Sequence, residues 1–246
     1  MADVVAVPAS QSPQQPFATV ASPLHTIVLL AILTAISVVG YFSMHGAGPA
    51  PLTGHLRFYL PTITWEWLVF GYIYWGVRRH GKTFRDIAGE RWKSAGSVLL
   101  DIAIAFCAWI VAIIVLGVTA KLLHATGSLE MAKRLAPQGV VESVAWISLS
   151  VTAGICEETI FRGYFQRQFV AWFRNIPAGV VLSAMLFGAG HIYQGWRSAV
   201  VIAVFGLLFG ILAEARRNIR PGILLHAWQD GISGFLVRLA SRALPK

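Results

Sequence analysis

Apolar residues run along this chain in long blocks, not in the alternation that marks a half-buried strand. A block that crosses a bilayer as a helix needs about 20 residues. On that measure the pattern predicts helices over 24–41, 59–77, 98–123, 141–173, 177–193, 198–213 and 221–239. Pro177 and Pro221 fall in the first turns of two of these, where a missing N–H costs nothing. The second block carries Trp65, Trp67, Tyr72, Tyr74 and Trp75, an aromatic density typical of interfaces. A charged segment, KTFRDIAGERWKS, follows it and reads as interfacial. A short polar loop is expected over 126–138. Neither a soluble domain nor an internal repeat stands out. The expectation is an all-α polytopic transmembrane bundle of about seven to eight membrane helices. It divides into a disordered tail (1–23), N-terminal membrane helices (24–140) and a membrane core that carries the candidate chemistry (141–246).

Composition supports lipid as the solvent. Hydrophobic residues make up 56% of the chain and charged residues 13%, against about a quarter charged in soluble domains. The mean hydropathy is +0.64. The tail is rich in Pro, Ser, Gln and Ala, and no Lys or Arg precedes the first apolar block, as a secretory signal would require. That block is therefore expected to be retained.

The net charge of +9 lies between the apolar blocks. Arg78, Arg79, Lys82, Arg85, Arg91 and Lys93 share one loop, and Arg216, Arg217 and Arg220 share another. Such loops face the cytoplasm beside anionic lipid. An even number of crossings separates them, so both assignments agree and the N-terminus is expected to be cytoplasmic, in a bacterial-type inner or plasma membrane. Nucleic acid is not an expected partner, since no soluble basic domain remains to bind it. Cys107 and Cys156 lie inside apolar blocks, without disulfide or metal-ligand spacing.

An ionised side chain in hydrocarbon costs about 3 kcal/mol or more, so those inside the blocks are informative. They are Glu66, Asp101, Glu157, Glu158, Arg162, His191, His226 and Asp230. Glu66 and Asp101 fall near block ends and are expected to be interfacial or structural. Glu158 and Arg162 are four residues apart and can pair on one helix face. Glu157 is turned about 100° away and can project into a cavity. Phe187 and His191 share a spacing of four, as do His226 and Asp230. One reading is a buried polar network that only holds helices together. The other is a carboxylate and imidazoles converging as general base and electrophilic partners.

At this point the residues resemble a known family. Glu157-Glu158-Thr159-Ile160-Phe161-Arg162 is similar to the EExxxR motif of CAAX protease and bacteriocin-processing (CPBP) proteins, also called type II CAAX endopeptidases or ABI proteins. Phe187-Gly188-Ala189-Gly190-His191 resembles their FxxxH motif, and His226-Ala227-Trp228-Gln229-Asp230 their HxxxN or HxxxD motif. Order and spacing agree over 141–239. The resemblance implies an intramembrane glutamic endopeptidase that cleaves a membrane-associated or lipidated protein or peptide. In it Glu157 and His191 would hold and activate water, and His226 with residue 230 would stabilise the oxyanion. Glu158, Arg162 and Phe187 would support the site. Asp230 stands where Asn would donate a hydrogen bond, which an ionised Asp cannot do.

Other chemistries leave other signatures. HExxH, expected of a zinc site-2-type protease, does not occur, and neither does the GxGD of presenilin-type enzymes. Gly231-Ile232-Ser233-Gly234 matches a rhomboid GxSG, but no His follows Ser233 to act as its base. No cofactor is expected, with Zn²⁺ held by the Glu, His and Asp side chains as the alternative. A non-enzymatic scaffold or immunity protein of the same fold is a further reading, and a transporter would be expected to show inverted repeats. Gly206 and Gly210 form a GxxxG expected to pack helices within the bundle. One conflict of depth remains at this level. Simple alternation puts Glu157 towards the cytoplasmic end of its helix and His191 towards the far end of the next. A long, tilted fourth helix or a fifth that starts outside the membrane would reconcile them, and the first is expected.

Overall fold

The computed structural model describes residues 17–46 and 54–243, and no strand occurs among them. Apolar blocks become helices because lipid offers no hydrogen bonds to a backbone that is not already paired within its own segment. In order these are α1 (Pro23–Gly46), α2 (Leu56–Arg79), α3 (Phe84–Ala88), α4 (Ala95–Leu123), α5 (Gly127–Leu135) and α6 (Gly139–Glu158). A wide π-helical stretch (Thr159–Gln166) then leads into α7 (Arg167–Phe173), followed by α8 (Ile176–Gly190), α9 (Trp196–Arg216) and α10 (Arg220–Ala243). Among the described residues, four helical segments are long and apolar enough to span a membrane: Pro23–Phe42, Ala95–Leu123, Gly139–Phe173 and Trp196–Arg216. α8 is apolar but shorter. α2 and α10 are not among these four.

Local chemistry sets the helix ends. Ser94 caps α4 by accepting from the Ser97 N–H, and Asn175 caps α8 by accepting from Ala178. The expected loop 126–138 contains α5, whose Glu130 and Lys133 pair at 3.2 Å. Its polar composition concealed a short helix. Asp86 closes a capping box with Thr83 at the start of α3. Burial raises the Asp86 carboxyl, but the Thr83 bonds and the cations Lys82 and Arg167 outweigh it and hold the group below its usual range.

The tail expected over 1–23 needs a correction at its end. Residues 1–16 lie outside the described residues. Residues 17–22 are packed: Val20 and Ala21 are buried, and their N–H groups both donate to Gln168 Oε1 at 2.9 and 3.3 Å. Gln168 Nε2 returns a bond to Ala21 O, and Arg174 lies over the Phe17 ring. Composition cannot reveal this, because the contact is with a helix some 150 residues further on.

The segment Gly139–Phe173 is one continuous helix of 35 residues. At 1.5 Å per residue it is about 50 Å long, well beyond the hydrocarbon thickness of about 30 Å. Glu157 therefore lies near the middle of a long helix, and it reaches the same cavity wall as His191. The wide turns begin just after the glutamate pair. A π turn adds one residue to a helical turn and often marks a functional site. Here it brings Gly163 close to the Ile87 carbonyl of α3, which a Cβ would approach to 3.2 Å.

Candidate active site

Two glutamates one residue apart face different surroundings. Glu158 is fully buried: Arg162 Nη1 donates to its Oε1 at 2.8 Å, and His226 Nδ1 lies 3.1 Å from the same oxygen. Arg162 is in turn clamped, donating through Nη2 to Gly206 O and lying over the rings of Phe187 and Phe209. Removing any one member would strand a charge in a low-dielectric site. Glu157 is half-buried and points into a cavity, as the 100° offset predicts. Its Oε2 is enclosed by protein without a hydrogen-bond partner.

His226, on the second turn of α10, links these groups. Its Nε2 lies 3.6 Å from Glu157 Oε2 and 3.6 Å from Asp230 Oδ2. Because the Glu158 carboxylate can only accept, Nδ1 carries a proton. Carboxyls on both ring nitrogens favour an imidazolium, with a second N–H on Nε2. Close packing allows this approach: a Cβ on Gly222 would come within 2.9 Å of Glu158 Oε2, and one on Gly154 within 2.8 Å of the Ile223 carbonyl.

His191 caps the C-terminal end of α8, where Nδ1 lies 2.9 Å from Phe187 O. That carbonyl can only accept, so Nδ1 holds the hydrogen and Nε2 offers a lone pair. The Phe187 ring touches both histidines, with centroids 4.9 Å from His191 and 6.1 Å from His226. The supporting role assigned to Phe187 is thus a packing one. Glu157, His191 and Tyr193 line one cavity of about 580 Å³, whose walls also include Leu33, Tyr41 and Phe161.

The sequence-derived residues therefore come together: Glu157, Glu158, Arg162, His226 and Asp230 by direct approach, Phe187 by packing on both histidines, and His191 on the cavity wall it shares with Glu157. Glu66 requires a correction. It is not near a helix end but lies in the interior of α2, 8% exposed, on the wall of this cavity. Asp101 matches its expected structural role, accepting from Trp92 Nε1 and pairing with Arg216. Tyr193 was missed, although it lies only two residues past His191. Among the described residues, no group of three His, Cys, Asp or Glu side chains is arranged to hold a metal ion.

Residues 139–232 match the family model described as type II CAAX prenyl endopeptidase Rce1-like. This segment is similar to the Rce1-like family. The match begins at the first residue of α6 and ends just past Asp230, so it encloses all three motifs. That family is one of peptidases, and the match together with the long apolar helices indicates an integral membrane protein. No curated protein and no solved structure matches the chain. Within the Rce1-like segment, Glu157, His191 and His226 stand on α6, at the end of α8 and on α10. Glu66 stands on α2, outside it.

Proposed function

We propose that this protein is an intramembrane endopeptidase in which Glu157 activates water to hydrolyse a peptide bond of a membrane-associated or lipidated substrate. The observation that carries this reading is that Glu157 lines the His191 cavity while its enclosed Oε2 lies 3.6 Å from His226 Nε2 without a hydrogen-bond partner. Water in that cavity donates to Glu157 and to the free lone pair of His191. As Glu157 takes the proton, the water oxygen attacks the scissile carbonyl carbon. The charge that develops on the carbonyl oxygen is met by the Nε2–H of His226, whose orientation is set from behind by Glu158. Preformed donors of this kind act most strongly where water is excluded. Asp230 balances the charge of His226 and is not needed as an oxyanion donor.

The basic loops favour a cytoplasmic N-terminus, and a bacterial-type inner or plasma membrane is part of the same proposal. The mechanism uses no cofactor. The test is cleavage of an internally quenched prenylated peptide by reconstituted protein, with a chelator present. Wild type should cleave and Glu157→Gln should not. Loss of wild-type activity to the chelator, with recovery on adding Zn²⁺, would replace this reading with a metal centre.

A further inference from the structure

Glu66 is the one carboxyl on the cavity wall that lies outside the Rce1-like segment. The buried face of α2 is formed by Glu66, Val69, Ile73 and Val77, a helical stripe in which the glutamate occupies an apolar position. Trp67, the next residue, donates through Nε1 to Thr152 Oγ1 and fixes α2 against α6. Glu66 is thereby turned away from that contact and towards the cavity it shares with Glu157 and Tyr193. Its Oε2 is buried without a hydrogen-bond partner.

Charge bookkeeping distinguishes Glu66 from the other acids. Glu158 is paired with Arg162, and Glu157 and Asp230 both approach His226. Among the described residues, no ion pair engages Glu66. Its electrostatic surroundings are Glu157, His226 and Asp230, two acids against one cation. An ionised carboxyl without a paired cation is strongly disfavoured in such a wall, so Glu66 is a neutral acid and can donate. Two carboxyl groups in one cavity, one beside a cation and one not, form the arrangement of a base and an acid.

We propose that Glu66 is the general acid of this site, giving its proton to the amine that leaves. The assignment rests on the peptidase reading of Glu157. Glu157 removes a proton from water as the water oxygen bonds to the carbonyl carbon. On collapse of the tetrahedral intermediate the C–N bond breaks, and its electron pair goes to nitrogen. That nitrogen takes the Glu66 proton. Glu66 is left as a carboxylate and Glu157 as an acid. Return of one proton from Glu157 to Glu66 through cavity water restores both, so each turnover consumes one water and one peptide bond.

The experiment compares two substrates of reconstituted full-length protein. One is the prenylated quenched peptide. The other is the same prenylated peptide ending at the scissile carbonyl as a p-nitrophenyl ester, whose phenolate leaves without a proton. Glu66→Gln should lower kcat on the peptide about 100-fold with KM unchanged, yet stay within about threefold of wild type on the ester. Glu66→Leu should unfold no lower than wild type, because an unpaired buried acid adds nothing to stability. Equal losses on both substrates, undiminished peptide cleavage, or a lowered unfolding temperature in both variants would overturn the assignment. Glu157→Gln separates the two levels. If it cleaves the peptide as wild type does, or if wild type cleaves neither substrate, the peptidase reading itself fails. If it is silent while Glu66→Gln is unaffected, only the Glu66 assignment falls.

Discussion

Glu158 Oε1 stands 3.1 Å from Nδ1 of His226, across 68 residues of sequence. The second glutamate of the first motif therefore orients the histidine of the third. It does so while paired with Arg162, so one carboxylate both neutralises a buried guanidinium and fixes a ring.

That double duty predicts a coupled loss in Glu158→Ala. Breaking a buried pair by removing one member costs about 3–5 kcal/mol, and the His226 ring loses its anchor. The variant should unfold at a visibly lower temperature in detergent and cleave poorly. A variant of normal stability but no activity would make Glu158 a direct participant in the chemistry.

Glu157→Gln keeps the shape of the side chain and removes the base. It should unfold as wild type does, since Glu157 makes no ion pair shorter than the 3.6 Å approach to His226. Turnover should fall by about 100- to 10,000-fold, the usual worth of a positioned base. A thermal melt and a cleavage assay on the same preparation check both halves.

His226 and Asp230 should respond unequally. His226→Ala removes the donor aimed at the oxyanion and should cost about 100- to 1,000-fold in kcat. Asp230→Asn should be tolerated within about tenfold, because Asp230 serves His226 by charge at 3.6 Å and an amide still fits that space. If Asp230→Asn is dead and a chelator silences wild type, the site is a metal centre.

Gly188 tests the packing that places His191. A Cβ there would meet the Ala199 carbonyl at 2.5 Å and the Ala203 Cβ at 2.7 Å. α8 and α9 must separate to admit it. Overpacking of this kind costs about 1–3 kcal/mol. Gly188→Ala should lower both the unfolding temperature and the cleavage rate, since His191 is the next residue but two.

Much of this was legible in the sequence, for identifiable reasons. Glu158 with Arg162 and His226 with Asp230 are i, i+4 pairs, and helical geometry alone puts each on one face. The motifs drew attention to Glu157 and His191. The role of Glu66 was not legible, because nothing local distinguishes a carboxyl facing a cavity from one near a helix end. Its meaning depends on Trp67 meeting Thr152, a contact between helices 85 residues apart. The Gln168 anchor of residues 20–21 was hidden for the same reason, and so were the wide turns after Glu158, which no periodicity of apolar residues announces.

The GxxxG of α9 does more than let helices approach. Cβ atoms at Gly206 and Gly210 would run into Ala184 and Val180 of α8. The same two glycines expose carbonyls that Arg162 Nη2 and Gln166 Nε2 reach at 3.1 Å each. Both bonds span 44 residues, so they repeat like equally spaced teeth along two racks. Sliding α9 past the motif helix cannot be gradual: a small shift breaks both bonds at once, and the next register that would engage a tooth is a full turn away, about 5.4 Å. Glu214, which accepts from Gln166 at 2.8 Å, acts as the stop that marks the home position.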